Sequence, residues 1–142
     1  MKIAALDPAR AAEVAAVSAE CFDAPWSADE LRREAERAVG RVVVACEADA
    51  VIGYGVAHVI GSEAEVITLG VLPRERRRGV GRALLAALVE GAARAFLEVR
   101  AGDPAATGLY AGFGFAEVDR RVGYYADGED AVIMAWSRPS PA

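Results

Sequence analysis

The sequence predicts an α+β sandwich, a mixed but mainly antiparallel sheet flanked by helices. Two observations lead there. The periodicities run strand, helix, helix, three strands, helix, strand, helix, strand, strand. Strands at residues 41–47, 51–60 and 63–71 follow one another across short turns, which suits antiparallel neighbours. The 142 residues, 54% apolar and 26% charged, suffice for one compact core, are too few for two domains, and are too apolar for a disordered chain.

Each element has a local signal. A short strand at residues 2–6 is followed by Asp7 and Pro8, an N-cap and first helical position for a helix running to about Cys21, with Val14, Val17 and Cys21 as its buried stripe. After an irregular stretch at 22–26, Ser27 and Glu30 form a capping-box pair that opens a heavily charged second helix ending near Gly40. A turn at 48–50 makes a hairpin of the next two strands, and Gly61 and Ser62 lead into the third, which Pro73 ends. From Gly79 a helix begins with Val80, Leu84, Leu85 and Leu88 on one face and runs to about Ala93. A strand at 96–100, a short helix at 104–111 and strands near 115–121 and 131–136 complete the order. Residues 137–142, with Pro139 and Pro141, suit a frayed tail.

Composition narrows the function. No apolar run approaches the roughly 20 residues of a membrane span, and the first ten residues lack the apolar core of a signal peptide, so a cytoplasmic location is expected. A formal net charge of −5 argues against a general nucleic-acid binder. Cys21 and Cys46 lie 25 positions apart, without zinc-site spacing or neighbouring histidines. Both are expected as small apolar core residues, and no metal is expected. His58, the single histidine, has nothing nearby in sequence that suggests a catalytic triad.

Against that acidic background, Arg74, Arg76, Arg77, Arg78 and Arg82 place five of the sixteen basic residues within nine positions. From Val66 to Leu88 the chain reads VITLGVLPRERRRGVGRALLAAL: a strand enters a loop of arginines and glycines, and the loop opens a helix. The first helical N–H groups have no partner within the helix and carry the positive end of its dipole, so an anion, most naturally a pyrophosphate, is expected there. Gly79 and Gly81 let a phosphate approach the backbone, and the arginines add charge-assisted contacts at the rim. The lysine and hydroxyl of a Walker loop are missing, and the spacing does not match a dinucleotide fingerprint.

The order Arg76, two residues, Gly79, one residue, Gly81 resembles the acetyl-CoA pyrophosphate loop of the GNAT family of N-acetyltransferases, Q/R-x-x-G-x-G/A. The stretches FLEVRAGDPAATGLYAGFGF, from Phe96, and RRVGYYADGEDAVIMAW, ending at Trp136, are similar to the RimI-type ribosomal-protein-alanine N-acetyltransferases. The resemblance covers nearly the whole chain. It implies the GNAT fold, with acetyl-CoA as donor bound along Leu69, Gly70 and Val71, where the strand splays from a parallel neighbour. It also implies coenzyme contacts at Arg76, Arg77, Arg78, Gly79, Val80, Gly81 and Arg82. Glu98 is implied as general base, acting through water, and Tyr110 as general acid for the departing thiolate. Trp26, Tyr124 and Tyr125 are implied at the acceptor groove.

The chemistry agrees with those roles. An α-amine has a pKa of about 8, so near neutral pH a carboxylate need only remove the one proton that keeps it an ammonium. Glu98 alternates with Leu97 and Val99, so it faces away from them, with Phe96 and Arg100. A backbone N–H near Gly70 could stabilise the oxyanion, and Gly70 would allow close approach. Two departures stand out. Asp103, followed by Pro104, stands where the RimI-type pattern has a coenzyme-contacting asparagine; it loses the amide donor and adds negative charge. The stretch 89–95 is several residues shorter than in the family. The implied activity is acetyl transfer to the N-terminal α-amine of a ribosomal protein. Acetylation of a small amine or a lysine side chain, or acyl-CoA binding without catalysis, would use the same donor site.

Overall fold

The computed structural model describes residues 1–140; Pro141 and Ala142, the end of the expected tail, lie outside the described residues. The strands are β1 (Lys2–Ala5), β2 (Gly40–Glu47), β3 (Ala50–Ile60), β4 (Glu63–Val71), β5 (Arg94–Arg100), β6 (Ala116–Arg121) and β7 (Ala131–Ser137). They form one sheet in the order β1-β2-β3-β4-β5-β7-β6. The helices are α1 (Ala11–Cys21), α2 (Ala28–Glu36), α3 (Val80–Leu88) and α4 (Pro104–Phe113). Only β4 and β5 pair parallel, so the expected element order and the mainly antiparallel sheet are both present.

Strand alternation assigns the helices to the two faces. Tyr54 of β3 points to α1 and donates to Ser18 Oγ at 2.9 Å. Its neighbours Gly53 and Gly55 point the other way: a Cβ on Gly53 would stand 3.0 Å from Leu84 Cδ1, and one on Gly55 only 2.7 Å from Leu88 Cδ1. Two glycines on one face of β3 thus let α3 lie close against the sheet. α2 shares the α1 face through Glu34, which meets His58 Nε2 at 2.8 Å. Val14, Leu31, Val56, Leu84, Leu85 and Leu88 fill the two core layers.

Several boundaries differ from the sequence expectation. Asp7 caps a 3-10 turn at Pro8–Arg10 before α1 proper begins at Ala11, its Oδ1 accepting from Ala9 N at 3.0 Å. α2 stops at Glu36 because Arg37 is extended and the chain doubles back; a Cβ on Gly40 would stand 1.8 Å from Glu34 O. α3 stops at Leu88, well short of Ala93. Arg41, from the distant β2, donates to the carbonyls of Leu88 at 3.0 Å and Glu90 at 2.9 Å, and Gly91 turns left-handed at φ +79°. Ala93 and Arg94 then bond Ser62 O and start β5 two residues before Phe96, which absorbs the short 89–95 connection. Cys21 and Cys46 are half-buried against the core rather than within it.

Candidate active site

The site begins where the parallel pair comes apart. β4 and β5 are in register from Glu63 and Arg94 to Val66 and Leu97. Beyond that, residues 68–71 pair only with β3, and residues 98–100 only with β7. The parting coincides with a bulge: Ala57 faces Val66 and Val56 faces Thr68, which leaves Ile67 unmatched. A bulge bends its strand and sharpens the twist, turning the end of β4 away from β5. One backbone edge of residues 68–71 is left without a strand partner, a template for an extended ligand.

Gly70 plays a different part from the one expected. A Cβ there would stand 3.0 Å from Tyr54 Cε1, 3.1 Å from Phe22 Cε2 and 3.4 Å from Cys21 Sγ. Its missing side chain makes room for the α1 layer, and not for a ligand approaching from that side.

β4 leads through a 3-10 turn, Pro73–Glu75, into the glycine loop. Arg77 at φ +65° and Gly79 at φ +81° are both left-handed. Gly79 is the N-cap of α3 and supplies no side-chain bond, so no side chain caps the first-turn N–H groups. The arginines divide by task. Arg76 Nε donates to Val71 O at 3.0 Å and ties the loop to the end of β4. Arg78 pairs with Glu75, and Arg74 with Glu20 at 3.4 Å. Arg82 donates to Gly112 O at 2.9 Å and lies over the Phe113 ring, which joins α3 to α4. Exposed Arg77 takes part in none of these ties. Val80 is buried under the loop, and a Cβ on Gly81 would stand 3.0 Å from Leu109 Cδ2, so Gly81 lets α4 pack close.

Glu98 is the first residue of β5 past the parting, exposed and opposite Ile133. It faces away from buried Leu97 and Val99, on the α1 and α2 side of the sheet. Tyr110 lies on the other side. Its ring meets Phe115 edge-on at 5.9 Å, Phe115 stacks on Trp136 at 6.4 Å, and Trp136 pairs with Ala95 on the face of Leu97. Glu98 and Tyr110 therefore lie on opposite faces of the sheet. Burial pushes the Tyr110 phenol up to about 12, with a smaller contribution from the charge of Asp103. It is protonated at neutral pH, as a proton donor must be. Asp103 Oδ1 is engaged as the N-cap of α4, accepting from Ala106 N at 3.1 Å.

Tyr124 and Tyr125 lie between β6 and β7 with their rings edge-on at 5.2 Å. Burial and then the Glu98 charge raise the Tyr125 phenol, and the Tyr125 ring lies 4.0 Å from the guanidinium carbon of Arg100, two positions beyond Glu98 on the same face of β5. Trp26 lies between α1 and α2: its backbone N–H donates to Ser18 Oγ at 2.9 Å, and it lines an open cavity of ≈ 510 Å³ with Glu30, Arg33, Glu34, Glu36 and Arg37.

The pattern of the acetyltransferase (GNAT) family matches residues 11–115. The chain belongs to that family. The GNAT relatives include the N-alpha-acetyltransferase RimI of Mycobacterium tuberculosis, 35% identical over 149 residues that cover 99% of this chain and 94% of the relative. The [ribosomal protein bS18]-alanine N-acetyltransferase of Escherichia coli K12 is 42% identical over 90 residues, 58% of this chain and 61% of that enzyme. The crystal structure of the ribosomal-protein-S18-alanine N-acetyltransferase from Escherichia coli superposes with a TM-score of 0.86 at 29% identity, covering 99% of this chain and 96% of that one. The chain spans less than two thirds of some curated relatives, 39% of a Mycobacterium leprae protein at 37% identity. The GNAT family uses acetyl-CoA, and the residues present suit that donor: an unpaired strand edge for its arm and an uncapped helix start for its phosphates. No helix among the described residues is long and apolar enough to cross a membrane.

Sequence reasoning overlooked the bulge at Ile67 and the contacts of Arg100 with Tyr125, Asp127 and Glu129. Arg100 carried a usable signal, since it shares the face of Glu98 and the acidic turn of residues 127–130 follows the two tyrosines.

Proposed function

We propose that this chain moves the acetyl group of acetyl-CoA to the N-terminal α-amine of a protein, with a ribosomal protein as the favoured acceptor. The observation that carries the reading is the split between β4 and β5, with Glu98 on one face and Tyr110 on the other. The α-ammonium enters from the α1 and α2 side and gives the proton that carries its charge to the Glu98 carboxylate through water. The amine nitrogen attacks the thioester carbonyl, whose developing oxyanion is held by backbone N–H groups along residues 69–71. The tetrahedral adduct then loses a second N–H proton to water before it collapses. As the carbon–sulfur bond breaks, the Tyr110 hydroxyl protonates the leaving sulfur from the opposite face. The α3 N-terminus binds the pyrophosphate with Arg77, while Arg76, Arg78 and Arg82 hold the loop in shape. The protein acceptor is supported by the names of the relatives and by the Tyr124 and Tyr125 pair on the loop between β6 and β7, with the Tyr125 ring against Arg100 on the face of Glu98.

The test is release of coenzyme A thiol with a peptide bearing a ribosomal-protein N-terminus, for the native chain, Glu98→Gln and Tyr110→Phe. Each substitution should lower kcat by about 100-fold or more, in keeping with the loss of a general base or acid. Release with small amines alone would move the acceptor class. Donor binding without release on any amine would replace the enzyme reading with an acyl-CoA sensor.

A further inference from the structure

We infer that Arg100 is a positioning residue, one that clamps the loop between β6 and β7 over the acceptor side of the split and holds Tyr125 beside Glu98. The inference rests on the acetyl-transfer reading above. Arg100 is the last residue of β5, two positions past Glu98 on the same face. Its guanidinium carbon lies 4.0 Å from the centre of the Tyr125 ring. Its Nη1 donates to Asp127 Oδ2 at 2.9 Å and to Glu129 Oε1 at 3.0 Å. Glu129 also accepts from Gly102 N at 3.0 Å through its other carboxylate oxygen, so the far side of the loop is tied to the chain just beyond β5. Within the loop, Tyr125 N donates to Glu129 O at 3.1 Å and Gly128 N to Tyr125 O at 2.9 Å. A single cation therefore holds a ring and two carboxylates of one loop against the strand that carries the base.

The other ties hold the ends of the loop, with Ala101 N donating to Asp130 O at 3.0 Å, Gly123 N to Asp130 Oδ1 at 2.9 Å and Arg121 over the Tyr124 ring at 5.4 Å, whereas Arg100 reaches its middle. The ladder of β6 and β7 ends at Arg121 and Ala131, and every residue of β6 is exposed. The Arg100 side chain is 45% exposed and that of Asp127 63%, and ion pairs so open to water contribute little to folding. Their effect is geometric. A ring displaced by about 1 Å from an acceptor can cost on the order of 100-fold in rate without unfolding anything. A lysine could keep an ion pair but lacks the planar group that covers the tyrosine.

The experiment uses the full chain with Arg100→Gln and Arg100→Lys. It measures kcat and acceptor KM at saturating acetyl-CoA, acetyl-CoA affinity by calorimetry, and amide hydrogen exchange across residues 122–130. Arg100→Gln should raise acceptor KM by about 10- to 100-fold while acetyl-CoA affinity stays within about twofold, because only the acceptor side loses its geometry. Tyr125 and Gly128 amides should exchange faster, and Arg100→Lys should recover part of the KM. Native KM with native exchange would overturn the inference. So would a parallel loss of acetyl-CoA affinity and folding, which would make Arg100 a structural residue. If the native chain accepts a small amine and no peptide, the protein-acceptor reading fails, and the KM for that amine still decides the clamp. A native chain inactive on every amine would end both.

Discussion

Tyr110 buries its ring yet keeps its proton, and that combination has a consequence at high pH. Its phenol is pushed from the ordinary 10.0 to about 12 by burial, so between those values the folded chain binds a proton that the unfolded chain has lost. The raised value means that its stabilising contribution is fully present below pH 10 and disappears as pH rises through about 12. The size is on the order of 2–3 kcal/mol for two pKa units on a buried group. Urea unfolding at about pH 9 and about pH 12 should show the native chain losing that share and Tyr110→Phe keeping it. Equal losses in both would mean that the ring is more hydrated than its burial indicates. At neutral pH, Tyr110→Phe should cost little stability, so its lower kcat can be read as chemistry.

Gly70 and Gly81 differ because of what surrounds them, one in β4 and the other in the first turn of α3. Ala at Gly70 would press on the fully buried Tyr54 ring, which cannot move without disturbing the α1 layer, and on Phe22 and Cys21 beside it. Overpacking of that kind costs about 1–3 kcal/mol. At Gly81 the contact is the tip of Leu109, which can change rotamer. Gly70→Ala should therefore lower the urea midpoint clearly and Gly81→Ala only slightly; the reverse order would refute the packing account. Among elements, β4 matters most. Its bulge separates a paired half, which anchors the sheet, from an unpaired half that can hold the donor.

The molecule as a whole is acidic, at −5, and its donor is a polyanion, so attraction must be local to the α3 loop. Four of the five clustered arginines are tied to other groups, and Arg77, which shares none of those ties, is the cation we propose for the ligand. Acetyl-CoA affinity should weaken as ionic strength rises and the Debye length falls from about 10 Å to about 3 Å. Arg77→Gln should reduce both the affinity and its salt slope in calorimetric titrations. A slope unchanged in the variant would assign the attraction to the helix terminus alone.

Much of this was legible in the sequence because its causes are local. Ser27 with Glu30, Gly79 with Gly81, and the alternation around Glu98 each depend on residues a few positions apart, and the structure has the capping box, the glycine-opened helix and the outward-facing carboxylate in place. Contacts between distant residues decided the rest. The end of α3 depends on Arg41, 47 positions from the Leu88 carbonyl it caps. The bulge at Ile67 is defined only by its partners on β3, and the loop clamp needs Arg100 to meet Asp127 and Glu129. By itself the sequence determined the order of elements and the glycine-opened start of α3, and its family resemblance singled out Glu98 and Tyr110 as candidate base and acid. Only the tertiary structure decided which face of the sheet each one serves and which arginines remain free, because pairing register and long-range hydrogen bonds leave no periodic trace in a single chain.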